Sequence, residues 1–259
     1  MKRIYAVMLI LAIATGVAAQ EQHTQKWENG NLKSKGKKIS GKKTGEWEFY
    51  DKQGNIKTRI HFQEGHIHGP FKRFYANGQK KQLVNYEFEA KDGRYKAWYK
   101  DGTPEVLGFF EQGGQDSLWT YWYRNGVKKK ETYYYTPDSM RLLRFYSRNA
   151  DTLVQEGHGR YVEYYPNDSL KMKGKYRNGF RDSLWVAFYR NGNPKFRKWY
   201  NAGNPRGKWV HYYPGGHKSA VTHYNSGTNK AWYSGGQKEY EGPVENGVRN
   251  GFWKFWYKN

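Results

Sequence analysis

Tyr176-Arg-Asn-Gly179-Phe-Arg-Asp182-Ser183-Leu-Trp185-Val-Ala-Phe188-Tyr189-Arg-Asn191-Gly192 holds a turn, a short aromatic strand and a second turn. The same phrase is written repeatedly along the chain. Gly30, Gly54, Gly78, Gly102 and Gly126 are each 24 residues apart; the ladder passes Ala150, restarts six residues early at Asp168, continues through Gly192 and Gly216, and loses four residues before Gly236. A fixed period of this size is the signature of a repeat architecture. Four residues before each ladder position stand Tyr50, Phe74, Trp98, Trp122, Tyr146, Tyr164, Phe188, Tyr212, Trp232 and Trp256. Three before it, tyrosine recurs at 75, 99, 123, 165, 189, 213, 233 and 257. Seven before it lie Trp47, Phe71, Tyr95, Trp119, Tyr161, Trp185, Trp209 and Trp253, and a second turn glycine recurs from Gly41 to Gly247.

Asn-Gly and Asp-Gly supply the positive φ of a tight hairpin turn. The strand after the turn alternates, as in Ile56, Thr58, Ile60 and Phe62, which is the period of two of a β-strand. Apart from the first twenty residues no window has an apolar period of 3.6. The expected fold is all-β, an elongated twisted antiparallel meander of roughly twenty short strands.

The recurring Tyr-x-Asn-Gly followed by Gly-x-x-x-Gly-x-Trp resembles the MORN repeat, in the bacterial variant form found in YwqK-type antitoxin components. Gly41-Lys-Lys-Thr-Gly-Glu-Trp47, Gly203-Asn-Pro-Arg-Gly-Lys-Trp209 and Gly247-Val-Arg-Asn-Gly-Phe-Trp253 carry the resemblance. Asp116-Ser117 and Asp182-Ser183 depart from it, and the copy around 141–157 is degraded. The resemblance implies hairpin repeats and a binding role. It transfers no catalytic or toxin-contact residue.

Lys2 and Arg3 precede an apolar run, Ile4 to Val17, that ends in Val17-Ala18-Ala19. This predicts a secretory signal peptide over residues 1–19, too short for the ~20 residues of a membrane span. The chain has no cysteine, so neither a lipoprotein anchor nor disulfide staples are expected. Residues 20–40 read as a basic, partly ordered segment and 41–259 as the repeat domain, exported to the periplasm or beyond.

Tyr, Trp and Phe number 24, 11 and 13, and the net charge is +22. Aromatics suit strands and cross-strand pairs; so large a positive surplus favours anionic partners. Alternation puts the columns at −7 and −3 on one face of the aromatic strand and the −4 column on the other. The −4 column is aromatic in every copy from Tyr50 onward, and that uniformity assigns it to the buried side. The accessible, ligand-binding residues are then Trp119, Tyr123, Trp185, Tyr189, Trp209, Tyr213, Trp253 and Tyr257.

No catalytic residue, cofactor or metal is expected. His66 and His68 form the only close histidine pair, whereas a metal site needs three or four ligands. Asp-Ser pairs at 116, 138, 168 and 182 recur as turn residues, not as one triad. Asp151, Glu156 and Glu163 lack a pattern that marks a glycosidase pair. Nucleic acid fits the basic and aromatic composition but not an exported protein. The expected function is a non-enzymatic scaffold that binds an anionic envelope polymer or lipid, such as lipopolysaccharide or an acidic glycan. The alternative is a protein-interaction module that neutralises a partner, as the YwqK-type resemblance implies.

Overall fold

The computed structural model describes residues 20–258; the expected signal peptide lies outside them. Among these residues there is no helix, and so none long and apolar enough to cross a membrane. Twenty-two strands form one antiparallel sheet, from Gln20–Lys26 at one edge to Lys254–Phe255 at the other. Each strand pairs with the one before it, except that Lys254–Phe255 passes over Val248–Arg249 and pairs with Lys238–Glu245. The sheet is an open meander, as the repeats predict. Residues 20–40 hold the strands Gln20–Lys26 and Leu32–Ile39, paired with each other and onward to Lys42–Tyr50.

Two turn types alternate. At the ladder positions the turn spans four residues, as in Tyr75 to Gly78: Gly78 N–H donates to the Tyr75 carbonyl at 2.9 Å and Tyr75 N–H to the Gln79 carbonyl at 2.8 Å. Only the last residue is left-handed, with φ +80° at Gly78. Ala150 and Asp168 hold the same conformation at +70° and +59°, which explains why the ladder survives without glycine there. At the other end of the strands, Asn178-Gly179 and its counterparts have positive φ at both central residues, the two-residue turn that matches sheet twist.

The Gly-x-Trp signature is not a turn at all. It is a bulge inside a strand: Lys35 pairs with Glu48 and Lys37 with Thr44, so Gly45, Glu46 and Trp47 stand opposite Gly36 alone. Gly45 is left-handed at +67°. Ser183 takes this place at +60°, its hydroxyl donating to Asp182 at 2.8 Å. A side chain in the left-handed region is strained by about 1–3 kcal/mol. Ser183→Gly is therefore expected to stabilise the protein by roughly 1 kcal/mol, measured as a shift of the denaturation midpoint.

The bulge throws the indole back across the neighbouring strand. Trp47, Trp119, Trp185 and Trp253 each lie flat on a glycine eleven residues earlier, Gly36, Gly108, Gly174 and Gly242; a Cβ at any of these would fall inside the ring. Three of these indoles also donate to the carbonyl ten residues back, Trp47 to Lys37 at 3.0 Å, Trp119 to Phe109 at 3.2 Å and Trp185 to Lys175 at 3.1 Å. Neighbouring rings close the edges. Tyr161 lies 5.3 Å and Tyr176 5.1 Å from Trp185, the latter edge-on. The sheet has no second layer: the largest buried rings form a stripe along one face, and smaller side chains such as Val186, Val210 and Val221 are buried among the rings of the other.

The degraded copy pinches this sheet without interrupting it. Ser139–Tyr146, Thr152–Gln155 and His158–Tyr164 pair in sequence. In this shortened copy Leu142 N–H donates to the Gly179 carbonyl at 3.0 Å, past the ends of the three strands between them.

Candidate functional site

The face expected to be free is the core. Trp119, Trp185 and Trp209 are 2%, 0% and 8% exposed. Alternation did place −7 and −3 on one face, but the assignment of that face to solvent is inverted. The physical reason is the bulge, which seats each indole on backbone. Tyr123, Tyr189 and Tyr213 are half-buried and tie successive repeats together, donating to the carbonyls of Tyr146, Tyr212 and Trp232 at 3.0, 2.8 and 2.8 Å. Tyr75, Tyr99, Tyr165 and Tyr233 do the same. Trp253 is half-buried and Tyr257 is exposed, at the edge of the sheet.

Cations lie over the buried rings. Lys43 Nζ is 4.8 Å from the centre of Trp47, the Arg181 guanidinium 4.6 Å from Trp185, and Lys198 Nζ 4.3 Å from Trp209. Each partly desolvated cation gains from the ring below it. Lys198 stands where other repeats have the glycine, and burial, with Arg181 nearby, holds its pKa below the usual lysine value. These charges cover the core on the tryptophan side.

The opposite face carries the −4 aromatics, half-buried except for the exposed Tyr164. Beside them runs a row of cross-strand neighbours: Lys35, Glu48, Arg59, Lys72, Leu83, Lys96 and Leu107 in one half of the sheet. In the other half the row reads Val162, Lys173, Val186, Arg197, Val210, Val221, Lys230, Glu241 and Lys254. Its carboxylates are already neutralised. Glu48 meets Lys35 and Arg59 at 2.8 Å each, and Glu241 meets Lys238 at 2.6 Å and Lys230 at 3.2 Å. Lys96, Lys173, Arg197 and Lys254 have no ion pair among the described residues. Arg59 lies 5.7 Å from the Phe74 ring and Lys173 6.0 Å from Phe188. Leu107, Phe109, Leu118 and Trp199 are exposed on this face. This is the basic, aromatic and accessible surface.

Two carboxylates anchor the middle of the sheet. Glu131, almost wholly buried, meets Arg144 at 2.7 Å and Lys128 at 2.8 Å; Glu163 meets Lys129 at 3.0 Å and Lys171 at 3.5 Å. Burial pushes both pKa values up, but the ion pairs and hydrogen bonds outweigh it, and both end below the usual glutamate value. A depressed carboxylate stabilises the fold above its unfolded pKa of about 4.3, and that contribution fades as pH falls through the lower folded value. Stability is thus expected to decline below pH ~4, and Glu131→Gln to flatten that part of the profile, measured by denaturant titration at a series of pH values.

Among the described residues no three metal-ligating side chains cluster. His66 Nδ1 lies 3.2 Å from Glu89, while His68 packs on the Phe88 ring. A cleft of about 400 Å³ at the pinch is lined by Arg141 and Arg177 and by Glu156 and Asp182, with Phe180 and Tyr135 as its rings; its charges balance.

Known families see the same ladder. The MORN repeat variant family matches this chain at three places. These are residues 43–64, 67–87 and 157–178, and each runs from about one two-residue turn to the next. The chain is a scaffold of repeated β-hairpins, and at those three places the hairpin is similar to the MORN repeat variant. No curated protein matches it. Among solved structures, crystal structures of TcdB2-TccC3 without its hypervariable C-terminal region and of TcdB2-TccC3-Cdc42 align with 93% of this chain. They do so at 9% and 10% identity, with TM-scores of 0.22 and 0.19, and the chain spans 16% of their length.

The row of unpaired cations escaped the sequence reading, which followed aromatic columns. The signal was present: positions +5 and −6 of the repeats include Lys35, Arg59, Lys72, Lys96, Lys173, Arg197 and Lys254, of which Lys35, Arg59 and Lys72 are ion-paired.

Proposed function

We propose that the protein is a non-enzymatic scaffold that binds an anionic ligand of the cell envelope across the face opposite the tryptophans. The observation that carries this is the cross-strand row in which Lys96, Lys173, Arg197 and Lys254 have no anionic partner. Cations held in register along a sheet present a line of charge that matches a polyanion or an anionic surface. The expected export signal supports envelope polymers and lipids as the anions met. Lys96, Arg197 and Lys254 changed together to glutamine should weaken binding to phosphatidylglycerol vesicles and to polygalacturonate, and should flatten its salt dependence. Unchanged affinity and salt slope would overturn the reading.

A second reading, a protein-interaction module of the YwqK type, draws on the exposed Leu107, Phe109, Leu118 and Trp199. Apolar contact of that kind is insensitive to salt, which separates the two.

A further inference from the structure

In a repeat protein the columns that recur build the scaffold, and the places where they depart from the pattern are free to carry specificity. One such departure lies on the accessible face between residues 160 and 199. Here Val162, Leu184 and Val186 form an apolar floor and Trp199, 47% exposed, forms a wall. Leu184 and Trp199 are direct cross-strand partners, as are Arg160 and Lys175. The hollow measures about 460 Å³. Its rim carries Arg160, Lys173 and Lys175. Their side chains make no ion pair among the described residues, and no carboxylate lines the hollow.

We propose that this hollow docks an acidic polypeptide segment through one large apolar side chain. The hollow is shallow and open along one side, so it covers one side of its occupant. A small molecule there leaves apolar surface in water, whereas a polypeptide supplies the remaining cover itself. An exposed tryptophan with arginine beside it is the composition of an interface anchor, and three unpaired cations around an apolar floor select a segment whose anchor is flanked by carboxylates. The inference does not depend on the polyanion reading above, which rests on the row as a whole.

The test is fluorescence titration of the full chain with heptapeptides whose central residue is phenylalanine, flanked on each side by two acidic residues. The acidic peptide should bind, and peptides with a central alanine or with lysine flanks should not. Trp199→Ala, at an exposed position, should weaken binding at least about tenfold. The double variant Arg160→Glu, Lys175→Glu should reverse the preference, taking the lysine-flanked peptide in place of the acidic one. The variant at Lys96, Arg197 and Lys254 should leave peptide binding intact, so failure of one reading does not imply failure of the other. Absence of binding to the unmodified protein, or binding that Trp199→Ala and the charge reversal leave unchanged, would overturn the proposal. So would groove variants that alter attachment to phosphatidylglycerol vesicles while no peptide binds.

Discussion

Trp185→Ala is expected to lower the unfolding free energy by about 3–5 kcal/mol, the usual loss for a buried large aromatic. Phe188→Ala, three residues along the same strand, should lose less than about 3 kcal/mol, because its ring keeps part of its surface in water. The order follows from how each ring is held. Trp185 is 0% exposed, lies on Gly174, donates to the Lys175 carbonyl and is bordered by Tyr161, Tyr176 and Arg181. Phe188 is half-buried on the other face, with Lys173 6.0 Å from its centre. Equilibrium denaturation of the two variants side by side checks the order, and both sites lie well inside the sheet, away from terminal copies that melt alone.

The second large effect concerns the glycine beneath. Gly174→Val should cost about 1–3 kcal/mol by forcing the indole off its seat. Adding Trp185→Tyr should restore part of that loss, although the tyrosine alone is also destabilising. The chain contains this exchange already. Where the residue eleven positions upstream is Gly36, Gly108, Gly174 or Gly242, the ring is tryptophan; where it is Ile60 or Val84, the ring is Phe71 or Tyr95. Space removed by the aliphatic side chain is matched by a smaller ring. A double-mutant cycle should therefore give a favourable coupling of about 0.5–3 kcal/mol; strictly additive losses would mean that the two positions do not share one packing site.

Much of this architecture was legible in the sequence because it is written in local chemistry. The period came from turn residues whose left-handed conformation the structure repeats at Gly30 through Gly236. Period-two alternation separated the −4 column from the −7 and −3 columns correctly. What alternation does not encode is which side of a one-layer sheet is covered. That depends on the bulge at Gly-x-Trp, which looks like a turn motif in sequence and acts as a hinge for the indole in three dimensions. The uniform −4 column was a misleading guide: from Tyr50 to Trp232 it pairs beside the ladder turn, where the rings keep part of their surface in water. The Gly-to-Trp spacing of eleven was the missed clue, since glycine in a strand interior marks close approach of something above it. The groove at Trp199 has only a partial counterpart, the Leu118–Tyr133 pair after the other Asp-Ser bulge, where Leu107 and Phe109 stand in place of Lys173 and Lys175.

The face assignment underlies every proposal made for this protein, and oxidative footprinting of tryptophan in the native chain tests it most directly. With modification read residue by residue in a mass spectrometer, Trp199 should react fast, and Trp47, Trp119 and Trp185 should stay protected until the sheet unfolds. Modification of Trp185 as fast as that of Trp199 would contradict the account.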